Sequence, residues 1–307
     1  MKNSLISEVV IGVVVFGLLV LILMPLPTWI MDIALAINIS FAIVTLGISL
    51  YIARPLDYAS LPSVLLITTL LRLSLNIAVT RLILSNGYAG EVVNAFGKFV
   101  AGGNLVVGII IFIIITVVQF IVVTKGAERI AEVSARFALD AMPGKQMSID
   151  ADFNAGLISS EQAKQKRGDL ERESSFYGAM DGASKFIKGD AIAGIIITIV
   201  NITAGLTIGV LQKGLDLAQA ANKYTILTVG DALSASVPAL VLSIAAGIIV
   251  TRSTSNAESL GQDIGTQILS KPSALALASG LILLVGFLLG LATFAFVVRS
   301  GLIGSMA

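Results

Sequence analysis

Apolar and polar positions alternate along this chain on a coarse scale. Apolar runs of about 20 residues, enough to cross a bilayer, are separated by short stretches of Pro, Gly and polar residues. On that pattern helices span 8–24, 29–52, 60–84, 101–124, 190–211, 226–250, 273–289 and 291–307. The first run, Val9 to Leu23, has the length of a signal peptide. Pro25-Leu26-Pro27-Thr28 follows it instead of a small-residue cleavage site, so it reads as a retained helix. The last two runs are parted only by Leu289-Gly290-Leu291-Ala292, and Arg299 interrupts the second. They are expected as two short spans around a tight turn. The fold class that follows is an all-α polytopic membrane protein with about eight transmembrane helices.

One connection breaks the rhythm. Residues 125–189 are polar, and structureless loops beyond about 15 residues are uncommon. A small helical subdomain is expected there, between the fourth and fifth spans. Ile158-Ser159-Ser160-Glu161 looks like a helix start with a hydroxyl cap, and Lys166 and Glu173 are spaced two turns apart as a surface pair. The Gly and Pro residues of the preceding stretch, Pro143 and Gly144 among them, read as turns. Three segments result: 1–124 with four spans, 125–189 as the subdomain, and 190–307 with four more.

Lys and Arg resist translocation and so orient the chain. Ten of its 20 basic residues fall between Lys125 and Lys188. That places 125–189 and both termini in the cytoplasm, and leaves Asn86–Lys98 and Gln212–Tyr224 as outer links.

Composition agrees and narrows the chemistry. The chain is 56% hydrophobic and 13% charged, with a mean hydropathy of +0.96; soluble domains average about 25% charged residues. It has neither Cys nor His. Disulfides, thiolate or imidazole metal sites and histidine triads are excluded, and any proton must be carried by Asp, Glu, Lys or Tyr. Nothing points to an enzyme, a cofactor or nucleic acid.

Two motif look-alikes fail. Pro143-Gly144-Lys145-Gln146 resembles a phosphate loop, but Leu139 stands where that loop needs Gly, and Gln146 where it needs Ser or Thr. "DADFNAGLISSE" sets Asp150, Asp152, Asn154 and Glu161 at calcium-loop positions. Ala155 occupies the obligatory Gly position, so no metal is expected.

Charges within the spans are costly, about 2.5–3.5 kcal/mol each on insertion scales, and call for a partner or water. Arg72, midway along the third span, leads a stripe with Asn76 and Thr80 at four-residue steps. The stripe either lines a pathway or binds a neighbouring helix. Arg81 points to the other side. Asp190 opens the fifth span after Lys185 and Lys188, and Asp231 lies early in the sixth. Each could be a carboxylate favoured by a helix N-terminus. Asp32 is placed at the interface. Lys185 could reach Asp190 only through a bend, for which Gly189 is available. Gly205-xxx-Gly209 and Gly286-xxx-Gly290 fit close helix packing.

Longer motifs carry a resemblance. "RFALDAMPGKQMSIDADFNAGLI" (136–158), "LLRLSLNIAVTRLIL" (70–84), "VTKGAERIAEV" (123–133), "FYGAMDGASKFIKGDAIAGI" (176–195) and "TVGDALSASVPALVLSIAAGIIVTR" (228–252) resemble, in order, the FHIPEP family. These are the export-gate proteins of flagellar and virulence type III secretion. The resemblance implies coupling of proton motive force, with sodium as a second ion, to protein export. It places Lys185 and Asp190 at the coupling position, and Arg72, Arg81, Asp140 and Asp231 at further charges the family needs. Asn76 joins the ion pathway through its stripe. Asp140, Pro143, Gly144, Lys145, Asp150 and Asp152 belong to the signature segment.

The implied setting is the bacterial inner membrane, in a homo-oligomeric ring that is nonameric in the family, beside other export-gate membrane proteins. The export ATPase complex and substrates would dock on a large C-terminal cytoplasmic domain, which is absent before Ala307. A proline-rich turn before the last span is missing too. Asn154 and Ser184 lean to the flagellar branch, with the injectisome gate as the alternative. An ion-coupled small-solute transporter is a lesser reading, since paired broken helices are not evident, and a passive scaffold ring is another.

The topology can be tested directly because the chain has no native Cys. A single Cys in place of Ser160 should react with a membrane-impermeant maleimide only when the cytoplasmic side is exposed. Labelling from the outer side alone would refute the orientation.

Overall fold

The computed structural model describes residues 2–24, 26–101, 104–252 and short pieces between 261 and 281. Every regular element among them is helical. α1 (Lys2–Leu23), α2 (Thr28–Tyr51) and a short 3-10 turn (Pro55–Tyr58) lead into α3 (Leu61–Asn86). α4 (Glu91–Ala101) and α5 (Leu105–Val118) follow. A π-helical segment (Gln119–Thr124) joins α5 to α6 (Lys125–Asn154), and then come α7 (Ser160–Leu211) and α8 (Leu217–Thr251).

Five of the helical stretches are long and apolar enough to cross a membrane: 28–51, 55–86, 105–154, 160–211 and 217–251. The seventh and eighth expected spans, 273–289 and 291–307, lie for the most part outside the described residues, as does the Gly286/Gly290 pair. The chain divides into two units, one of 1–49 with 54–252 and another of 50–53 with 253–307. The first carries everything that follows.

The polar stretch folds differently from the expectation. α6 runs straight through Pro143 and Gly144, so these are not turns. The reversal comes later, at 155–159, where Gly156 takes a left-handed φ of 71°. Ser159 then caps α7: its hydroxyl accepts from the Gln162 amide while the Gln162 side chain accepts from the Ser159 amide. α6 and α7 form an antiparallel hairpin closed by Ile149, Ala163 and Leu170.

Its ion pairs cross from one helix to the other. Lys145 pairs with Glu173, Lys166 with Asp152, and Arg167 with Asp150. The expected Lys166–Glu173 pair is therefore not made, because the antiparallel neighbour offers each charge a nearer partner. These pairs are half exposed and stabilise by less than about 1 kcal/mol each.

Asp150, Asp152 and Asn154 sit on the last turn of α6, and no group of acidic side chains among the described residues could hold a metal. Asp140, Pro143 and Gly144 lie exposed on the same helix.

The boundaries expected at 124/125 and 189/190 fall inside continuous helix. The stretch 105–154 is one rod of 50 residues and α7 another of 52. At 1.5 Å per residue each is roughly 75 Å long, against a hydrocarbon layer of ~30 Å, so more than half of each lies outside it. The expected link 86–98 is also structured. α4 is a helix whose first amides, Glu91 N and Val92 N, donate to the Asp32 carboxylate at 3.0 and 2.9 Å. Asp32 is thus a cap supplied from α2 rather than an interfacial charge. In the turn before α4, Tyr88 donates to Glu91, and that hydrogen bond pushes its phenol up to about 12.

Within the bundle, polar side chains close on their own helices. Thr45, Ser49, Thr68, Thr69, Ser74, Thr198 and Thr228 each donate to a carbonyl one turn back. Lipid offers no alternative partner. Met31 and Leu35 of α2, Leu75, Val79 and Ile83 of α3, Val93 of α4 and Tyr224 of α8 form the main apolar core.

Small residues let the backbones meet. A Cβ on Gly230 of α8 would lie 1.9 Å from the Val93 carbonyl oxygen, and one on Gly97 of α4 2.2 Å from the Ile226 carbonyl. The Tyr224 ring fills the space over Gly205 and Gly209, where Cβ atoms would come within 2.5 and 2.8 Å of it. The Gly205-xxx-Gly209 expectation holds.

Gly230→Ala should therefore force α4 off α8. A loss of roughly 1–3 kcal/mol is expected, read as a clear drop in Tm in detergent. Gly247→Ala, with open space around it, should leave Tm within a degree or two. Equal Tm values for the two variants would refute this packing.

Candidate functional site

The polar stripe on α3 faces inward. Arg72 is 2% exposed and meets the carboxylate of Asp190, 8% exposed, in an ion pair. Asp190 lies in mid-helix, because α7 begins at Ser160, so a helix N-terminus does not explain its charge. Asp231 is likewise deeper than expected, since α8 begins at Leu217 rather than near 226. It is buried, and one carboxylate oxygen accepts from the Asn201 amide at 3.1 Å. The same amide donates to the Thr80 hydroxyl at 3.2 Å. α3, α7 and α8 are thus tied together at two polar levels, Arg72–Asp190 and Thr80–Asn201–Asp231.

Arg72, Asn76, Asp190 and Asp231 line one cavity of about 50 Å³, room for a few waters. α5 and its π-helical extension close its remaining side with Phe112, Thr116, Gln119 and Phe120. The π-helical segment begins where Gln119 enters this wall, and such segments often mark functional sites. Gln119 donates across to the Ser236 carbonyl at 3.3 Å, two residues before Pro238 in α8. Two helices with irregular backbone hydrogen bonding therefore meet at the cavity.

The cavity also holds polar atoms with nothing to bind. Asp190 Oδ1, Asp231 Oδ1, Thr116 Oγ1 and Arg72 Nε, all from residues that line it, are buried without a hydrogen-bond partner. Desolvated donors and acceptors of this kind cost about 1–3 kcal/mol each when unmet. Their concentration around one space suits water or an ion.

Four of the expected pathway residues, Arg72, Asn76, Asp190 and Asp231, come together. Two do not. Lys185 points away and pairs with Asp181 at 2.7 Å on the exposed side of α7. The bend at Gly189 that would bring it to Asp190 is absent, because α7 is continuous there. Arg81 donates to the Leu23 and Ile22 carbonyls at 3.0 and 2.6 Å, capping the C-terminal end of α1. Lys188 pairs with Glu128 at 3.0 Å and ties α7 to α6.

Asn201 and Gln119 were missed. The signal for Asn201 was present: it is the lone amide in an otherwise apolar run, on the face of α7 shared by Asp190, Gly194 and Thr198. Gln119 carried no comparable signal, because its place depends on the local π-helical turn.

Comparison with known proteins bears on the whole chain. The FHIPEP family profile matches residues 8–307. The low calcium response locus protein D of Yersinia pestis is 51% identical over 299 residues, covering 97% of this chain and 42% of that protein. The flagellar biosynthesis protein FlhA of Escherichia coli K12 is 48% identical over 298 residues, 95% of this chain and 43% of its own length. Protein MxiA of Shigella flexneri is 51% identical over 289 residues, 94% of this chain and 42% of its own length. The chain spans less than half the length of these curated relatives. No solved structure matches it. A profile matched from residue 8 to residue 307 and relatives about half identical over nearly the whole chain place it in the FHIPEP family.

Proposed function

We propose that this chain is the membrane part of a protein-export gate that couples proton flow, with sodium as a second ion, to the passage of exported proteins. Relatives named for flagellar biosynthesis, for a low calcium response locus and as protein MxiA are about equally similar. They support the flagellar and injectisome readings alike, and the lean drawn from Asn154 and Ser184 does not separate the two. The gate acts as a homo-oligomeric ring in the bacterial inner membrane, nonameric in the family, with both termini and the α6/α7 hairpin in the cytoplasm. Other export-gate membrane proteins are its partners, and the export ATPase complex and substrates dock on the family's C-terminal cytoplasmic domain.

The observation that carries this reading is the Arg72–Asp190 pair on the wall of a polar cavity among apolar helices. A buried ion pair contributes little net stability, and replacing it with apolar residues is often neutral or favourable. Ionisable groups at membrane depth mark ion and proton routes. With no His in the chain, a carboxylate is the group suited to take and release a proton. In the proposed cycle Asp190 exchanges Arg72 for a proton delivered through the cavity water, then gives the proton up and re-forms the pair. Lys185 is held by Asp181 and does not reach Asp190.

The test compares Asp190→Asn and Asp190→Glu in reconstituted vesicles and in exporting cells. Asp190→Asn should abolish proton flux and export while leaving ring assembly unchanged, and Asp190→Glu should keep part of both. Wild-type export by Asp190→Asn at a normal membrane potential would refute the mechanism. Solute uptake by the same vesicles would favour a small-solute transporter instead.

A further inference from the structure

Asp231 differs from Asp190 in its company. Among the described residues Asp190 has a cation in Arg72, whereas Asp231 has a neutral amide, that of Asn201. Asn201 is completely buried, and both of its contacts run through Nδ2, one to Asp231 Oδ2 and one to Thr80 Oγ1. Its Oδ1 faces no donor. Nothing therefore holds the amide in one of its two orientations except the protonation states of its neighbours.

We infer that Asn201 is a positioning residue for Asp231, an amide that serves the carboxyl group in both its ionised and its protonated state, with Thr80 as its anchor. When Asp231 is ionised, the amide NH2 donates to the carboxylate and to the Thr80 oxygen, the arrangement observed. When a proton arrives from the cavity, Asp231 becomes a donor. Rotation of the amide by half a turn then offers Oδ1 to the Asp231 hydroxyl. Thr80 can follow, because a hydroxyl rotates from acceptor to donor. The proton that binds Asp231 leaves by the same cavity, and no other bond is made or broken. A backbone carbonyl or a second carboxylate in place of Asn201 could serve one state only.

The surroundings leave this role to Asn201. The charged groups that face the cavity beside Asp231 are Arg72 from α3 and Asp190 from α7, already paired with each other. α5 and the π-helical segment bring no charge to it, and α4 packs on the adjoining part of α8 with Phe96 and Val100. An ionised carboxylate away from water needs donors, and Asn201 supplies the donor that the described residues show.

The consequence for flux rests on the export-gate reading; the geometry does not. The experiment uses vesicle-reconstituted protein, with proton flux and infrared difference spectra across a pH step as readouts. The Asp231 carboxyl band is identified by its loss in Asp231→Asn. Asn201→Leu should cut flux on the order of tenfold, the scale of one hydrogen bond to a charged group, and Thr80→Val, a near-isosteric change that removes a neutral hydrogen bond, by roughly two- to tenfold; both should displace the band. Thr80→Ser should restore most of the flux. The exchange variant, Asn201→Asp with Asp231→Asn, keeps one carboxyl and one amide in contact and should recover part of what Asn201→Leu loses.

Wild-type flux and an unmoved band in Thr80→Val would overturn the inference, even if Asn201→Leu fails to fold. If Asp190→Asn also conducts normally, the export-gate reading fails as well. If Asp190→Asn is inactive while Thr80→Val and Asn201→Leu behave as wild type, only the role given to Asn201 fails.

Discussion

A bilayer offers no hydrogen bonds, and that constraint orders this molecule. A polar group inside the bundle needs a partner from the protein or from enclosed water. Most hydroxyls find one locally, by donating one turn back along their own helix. Guanidinium, carboxylate and amide groups cannot, because their reach and charge demand a group from another helix. Arg72 and Asp190 answer each other across α3 and α7, and Asn201 links Thr80 to Asp231. These few contacts set which faces of α3, α7 and α8 turn inward, and the apolar residues between them fill in around that choice.

Close approach is the other half of the same constraint. Lipid tails are as apolar as leucine, so helices gain little from apolar contact alone and depend on fit. Gly97 and Gly230 bring α4 against α8 with no room for a methyl group, and Gly205 and Gly209 seat Tyr224. The cavity opens where fit is interrupted, between the π-helical segment after α5 and Pro238 of α8. Since α7 runs unbroken from Ser160 past Asp190, the hairpin and one wall of the cavity belong to the same rod.

Much of this was legible in the residues. Apolar runs located α2, α3, α5 and the membrane parts of α7 and α8, because the period and length of a spanning helix are properties of a local stretch. The four-residue spacing of Arg72, Asn76 and Thr80 marked an inward face for the same reason, and Ser159 announced the start of α7. Local sequence was a poorer guide where propensity and tertiary contact compete. Pro143 and Gly144 looked like a turn, yet α6 passes through them while packed against α7.

Partners were the part that one-dimensional pattern could not assign. Lys185 is five residues from Asp190 and Arg72 is over a hundred away, yet the distant residue is the one that makes the pair. On a continuous helix, positions five apart point to different sides. Arg81 seemed a second intramembrane charge and instead caps α1, and Asp32 caps α4. The sequence by itself determined that this is a helical membrane protein with a polar stripe, several charges in or near its spans and a family resemblance. Only the tertiary structure decided which charge meets which, because that choice depends on how helices far apart in the chain lie side by side.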